Sequence, residues 1–170
     1  DDGRFGPSPW VSNTSPGHWQ PLLNPDGSPQ LDPTPWVANV KPFLLRTSSQ
    51  FRSEGPQALG STAYTADVNE TKALGSVSST VRSAKQTHNA IFWQTAGGPA
   101  WLWNGAARGL ADSRGLDLGD SALLFAELNL ASADAAINVW NDKYHFDFWR
   151  PWQAVRGADL DGNPATTADP

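Results

Sequence analysis

Cysteine and methionine are both missing from these 170 residues. Without Cys there can be no disulfide and no thiolate metal site. Without Met at position 1, a chain opening DDGRFGPSPW reads as a processed or cut product. Positive charge is scarce. Twelve Lys and Arg against 17 Asp and Glu leave a net charge of −5, which argues against a general nucleic-acid or membrane-surface binder. No uninterrupted run of about eighteen apolar residues occurs, so no membrane-spanning helix is expected. No signal-type segment is visible, and one removed upstream would put the protein in a secreted or periplasmic setting. Strand-type alternation of useful length and internal repeats are also lacking, which leaves an all-α reading.

What is abundant is tryptophan, nine in all, enough to build a core or cleft from rings. Proline is concentrated: nine of the 14 fall within residues 1–42. Residues 1–55 therefore read as an extended Pro/Trp arm without regular structure, pinned by Trp10, Trp19, Trp36 and the PFLL of 42–45 across the helices or a partner. Residues 56–157 read as a helical domain and 158–170 as a polar loop. Two sequons, at Asn13 and Asn69, carry weight only in a secreted eukaryotic protein.

Within the helical part, Pro56 suits a first turn and LGS at 74–76 a stop. A second helix is expected from Ser79 to Ala96, with Val81, Ala84, His88, Ile91, Phe92 and Thr95 on one face and His88 in the core. A third runs from Pro99 to Gly115. The fourth is capped by Asp117, with Asp120 in its first turn. It continues through SALLFAELNLASADAAINVW. Being apolar nearly all round, it is expected to be central and the least exposed. Glu127 and Asp134 inside that run call for partners, and an ion pair with an Arg elsewhere is the expectation.

The stretch NDKYHFDFWRPW, residues 141–152, sets Lys143 and Arg150 among five aromatic residues. If the helix continues through Arg150, seven residues nearly close two turns. The two cations then share a face with Trp140 and Asp147, ~10 Å apart along the axis. Pro151 ends the helix and frees the Arg to turn. Such a pair suits a small tetrahedral anion, the Arg giving a planar fork of donors and the Lys a mobile charge. The plainer alternative is an i,i+4 pair of Lys143 with Asp147 and an Arg stacked on Trp.

His145 points off that stripe and reads as structural, and His18, in the PGHWQP turn, as exposed. DLDGNPATTADP at 159–170 has the alternating oxygens of half a calcium loop. Pro164 stands where the Gly is needed and Pro170 where the Glu is, so it reads as a polar turn.

KYHFDFWRP resembles the KxxxxxxRP element of the superfamily that joins vanadium-dependent haloperoxidases to type 2 phosphatidic acid phosphatases and bacterial acid phosphatases. SQFRSEGPQALGSTAYTADVNETKALGS, RSAKQTHNAIFW, ALLFAELNLASADAAINVWNDKYHFDFWRPWQAVR and ADLDGNPATTADP are similar to its haloperoxidase-like bacterial branch, from about Trp36 onward. The resemblance implies a helical bundle. It also implies that Lys143 and Arg150 are catalytic contacts to the oxygens of vanadate or phosphate, and that Trp140 lines the same pocket. The family's PSGH and SRxxxxxHxxxD segments do not occur here. The His that bonds vanadium is thus expected from a C-terminal portion, separate or missing, and no metal ligand from this chain. Small anions and peroxide, and a second copy of the chain, are the other partners implied. A phosphatase using a downstream His nucleophile, or a non-catalytic helical scaffold, would carry the same motif.

Overall fold

The computed structural model describes residues 13–30 and 34–169. Trp10 lies outside them. Five α-helices follow one another: α1 Thr62–Gly75, α2 Ala84–Thr95, α3 Pro99–Arg114, α4 Leu118–Phe146 and α5 Pro151–Arg156. Among the described residues, extended pairing is limited to two isolated bridges, His18 with Phe148 and Leu23 with Pro29. The fold is all-α.

Caps decide the starts. Helix α1 begins at Thr62, later than Pro56 suggests, because Ser61 Oγ accepts the Tyr64 N–H at 3.1 Å. Helix α2 begins at Ala84, not near Ser79. Ser83 and Gln86 form a reciprocal capping box there, the Gln86 side chain accepting the Ser83 N–H at 2.8 Å. The intervening turn is closed by Arg82, which donates to the carbonyls of Leu74 at 2.6 Å and Ser76 at 2.9 Å and so caps the end of α1. Val81 therefore sits outside the helix. No residue of α2 is buried, and His88 is exposed rather than in a core. Helix α3 keeps its expected bounds, with Gly115 left-handed at φ 58°. Asp117 accepts the Asp120 N–H at 2.9 Å and starts α4.

Helix α4 runs for 29 residues, but its expected burial is not seen. Only Asp134, Ile137 and Asn138 are buried, while Leu123 and Val139 are mostly exposed. Glu127 is exposed and needs no ion pair. Length and composition make α4 apolar enough to cross a membrane. Counting uninterrupted runs misses this because Glu127 and Asp134 break the run without lowering its average much.

Two of the three buried residues of α4 are polar, and part-buried polar residues extend their line. Asp134, Asn138, Asn141 and Asp142, at i, i+4, i+7 and i+8, lie along one stripe. The arm is laid on that stripe by its backbone. Asp134 accepts the N–H groups of Phe43, Leu44 and Leu45 at 2.6, 2.7 and 2.8 Å. Three amides, not an Arg, thus satisfy the buried carboxylate. Asn138 donates to Ser48 O at 2.7 Å, and Asn141 donates to Ala38 O at 2.8 Å. Asp142 accepts the Ser53 N–H at 3.0 Å and pairs with Arg52 at 3.1 Å. The arm is not wholly irregular: Pro35–Asn39 forms a 3-10 turn, with Pro35 in the first position where its missing N–H costs nothing.

A small hydrophobic cluster forms from Tyr64, Val68, Trp149 and Ala154, with Leu59, Phe148 and Val155 against it. It joins α1 to α5. The polar loop that follows is knitted to the same place, since Asn163 donates to Leu59 O and Thr65 Oγ1, each at 2.8 Å. Trp149 therefore anchors the second half of the Lys–Arg stretch in the core.

Candidate functional site

The helix that carries Lys143 stops sooner than expected. Phe146 is its last residue, and Asp147 takes a left-handed conformation at φ 48°. Arg150 is the residue preceding α5, its backbone N–H bonded to Gln153 Oε1 at 3.0 Å, with Pro151 in the first helical position. Lys143 and Arg150 thus stand on two helices joined by a reversal, and no axial rise relates them.

The reversal nevertheless brings both to one place. Lys143, Arg150 and Trp140 all line a pocket of about 450 Å³ whose walls include Tyr144, Phe148 and Trp149. The Lys143 ammonium lies 5.6 Å from the Trp140 ring centre and 4.9 Å from that of Tyr144, close enough for cation–π attraction. Trp140 is held in turn by Thr34, whose hydroxyl accepts the indole N–H at 3.1 Å. The Arg150 residue is exposed, and no carboxylate is paired with it among the described residues. Two cationic donor groups that differ in shape thus stand together beside aromatic rings, a donor set whose chemistry suits an oxyanion.

Two members of the site escape a reading of spacing alone. Asp147 makes no i,i+4 pair with Lys143; its Oδ2 takes the Nδ1 of His18 at 2.9 Å. His18 is half-buried, not a free turn residue. Burial pushes the Asp147 carboxyl up, against the hydrogen bond and charge of His18, which pull it down. Trp19, next in the arm, lines the pocket itself. A His in a Pro/Gly turn and an Asp some 129 positions later share no local signal. His145 is exposed at the end of α4, edge-on to Phe146. Among the described residues no group of three or more His, Cys, Asp or Glu could hold a metal ion.

The chain is thus all-helical among its described residues and gathers a Lys and an Arg at a ring-lined reversal. Known proteins specify it further. The family described as the VCPO second helical-bundle domain matches residues 123–164, which include Trp140, Lys143 and Arg150. The vanadium chloroperoxidase of Curvularia inaequalis is 31% identical over 151 residues, covering 72% of this chain and 24% of that enzyme. A crystal structure described as the first bacterial vanadium-dependent iodoperoxidase superposes with a TM-score of 0.72. That match covers 99% of this chain and 42% of the other at 24% identity, a likeness of fold. The matched domain, the curated relative and the shared fold together support the vanadium haloperoxidase superfamily. It spans about a quarter of the length of the curated relative and less than half of the solved one.

Proposed function

We propose that the chain is the N-terminal portion of a vanadium-dependent haloperoxidase-like enzyme that oxidises halide with peroxide, and that Lys143 and Arg150 hold the oxygens of vanadate or of its analogue phosphate. The observation that carries this reading is that the two cations, seven positions apart, line a single pocket with Trp140 although a chain reversal separates them. The donor set fits the group: ammonium and guanidinium suit oxyanion oxygens, while a bond to the metal itself asks for an imidazole from the downstream portion. Bound vanadate supplies a Lewis-acid centre for peroxide. The chain's own residues do the rest. Lys143 supplies a mobile charge, Arg150 a planar fork of donors, and the rings a low local dielectric that strengthens both.

The downstream portion is also supported by what this chain leaves open. Ile91, Phe92, Trp93, Trp101, Trp103 and Leu123 are all more exposed than buried or close to it, a set of large apolar side chains on α2, α3 and α4 of the kind that a partner surface covers. We take it as the seat of that portion, and the whole protein as secreted.

An acid phosphatase would use the same two cations around phosphorus, and a scaffold would use neither. The test is made on the natural-length protein with and without vanadate. Halide oxidation by peroxide that requires vanadate, and that phosphate competes away, is the expected result. Phosphate-ester hydrolysis inhibited by vanadate, without halide oxidation, assigns the phosphatase. Neither activity, with no anion bound, assigns the scaffold. Lys143→Ala and Arg150→Ala should each cost on the order of 2–4 kcal/mol of oxyanion or transition-state stabilisation, with Arg150→Lys only partly restoring it.

A further inference from the structure

The pocket contains a contradiction. Asp147 lines it beside Lys143 and Arg150, and an ionised carboxylate there repels the anion the two cations attract. The backbone conformation at this position does not call for an acid. Asp147 is the only non-glycine with positive φ among the described residues, at φ 48°, a site after a helix where Gly or Asn is ordinary. A residue held in an uncommon conformation, with a charge that opposes the anion its neighbours would hold, points to a role for that charge.

Its partner comes from the arm. Residues 17–20 lie against the reversal through four contacts. Trp19 N–H donates to Asp147 O and Trp149 N–H to Gly17 O, each at 3.0 Å. Gln153 Nε2 donates to Gln20 O at 2.7 Å, and His18 Nδ1 meets Asp147 Oδ2 at 2.9 Å. Gly17 permits the approach: it has φ 90°, and a Cβ there would stand 3.0 Å from the Leu59 side chain. The backbone contacts seat the segment whatever the side chains are, so the His18–Asp147 bond is an addition to the seating, not its source.

We propose that His18 is a charge-masking residue of the oxyanion pocket. By engaging the Asp147 carboxylate it takes up the charge that would oppose the anion, while the backbone bonds of the arm keep Trp19 at the pocket wall. The arm is on this view a working part of the site, and oxyanion affinity depends on whether it is docked. This rests on the reading of the Lys143–Arg150 pocket as an oxyanion site.

The experiment is a double-mutant cycle on the protein, reading the affinity for orthovanadate and for inorganic phosphate by calorimetry. Melting curves of each variant establish that it is folded. His18→Leu leaves Asp147 unmasked, and affinity should fall by about tenfold. Asp147→Asn removes the offending charge and retains a residue at ease in the left-handed conformation. Adding it to His18→Leu should bring affinity back to within about threefold of wild type. A purely structural bond behaves oppositely, because the double variant lacks both partners and stays as weak as His18→Leu. That result, or an unchanged affinity in His18→Leu, overturns the proposal. If the wild type binds neither anion, the oxyanion reading fails and the inference falls with it. If the wild type binds and the cycle shows no recovery, the inference alone fails.

Discussion

Asp134 shows how much one side chain can organise. It is a carboxylate at 3% exposure in the middle of an apolar helix, and three consecutive backbone amides of the arm satisfy it. Burial by itself would raise its pKa. The amides of Phe43, Leu45 and Leu44 outweigh that and hold the carboxyl below its ordinary range. Asp134→Ala leaves three amides without an acceptor, and should cost about 3 kcal/mol of stability by chemical denaturation. Asp134→Asn, which keeps one acceptor oxygen, should lose less. Gly55 is a second single-residue control. It has φ 85°, and a Cβ there would collide with the Phe146 ring. Gly55→Ala therefore carries both a conformational and a steric penalty. A loss of about 1–3 kcal/mol is expected in the same assay, with α4 unable to keep Phe146 where the arm crosses it.

At the scale of elements, the unit that matters is the arm on α4. Asp134 and Asp142 both hold it, and both have folded-state pKa values below the ordinary carboxylate value. For Asp142, burial opposes the shift, while the Ser53 amide and then Arg52 produce it. The sign follows from linkage. A depressed folded pKa means that the unfolded state binds protons more readily. The stabilisation is thus complete above the unfolded value and is lost as pH falls through the folded one. Asp147 works in the opposite sense, since its raised carboxyl makes ionisation a cost that acid relieves. Two locks against one release predict a net loss of arm docking below about pH 4. Hydrogen exchange of the Phe43, Leu44 and Leu45 amides should accelerate there before that of α4 itself. Equal acceleration of both would contradict a separable lock.

On the scale of the whole molecule, packing is uneven. The cluster around Tyr64 and Trp149 and the arm on α4 are closely knit, whereas α2 contributes no buried residue. Local stability should follow the same division. We expect amide exchange in α2 to be the fastest among the helices, and an apolar dye to bind this chain; if the proposed downstream portion covers that face, its presence should displace the dye. Slow exchange in α2 together with no dye binding would mean that the open surface is self-sufficient.

Local chemistry was readable from the chain without coordinates. Gly115 and Asp117 mark helix ends because their effect is confined to one turn. The lack of alternation rules for helix throughout, and Lys143, Arg150 and Trp140 stand out through charge set among rings. Other features were beyond such a reading. Ser61 and Ser83 displace Pro56 and Ser79 as helix starts because a cap depends on which side chain reaches the first amides, and several candidates stood close together. The end of α4 at Phe146 follows from Asp147 turning left-handed, which the incoming arm supports from more than a hundred residues away. The partners of Asp134 are backbone amides, which every sequence has and none advertises. The bond between His18 and Asp147 is set by the path of the arm over the reversal. Spacing along a helix could suggest that Lys143 and Arg150 meet, but it is the fold that brings them together across a break in the helix and adds Trp19 and His18 to their company.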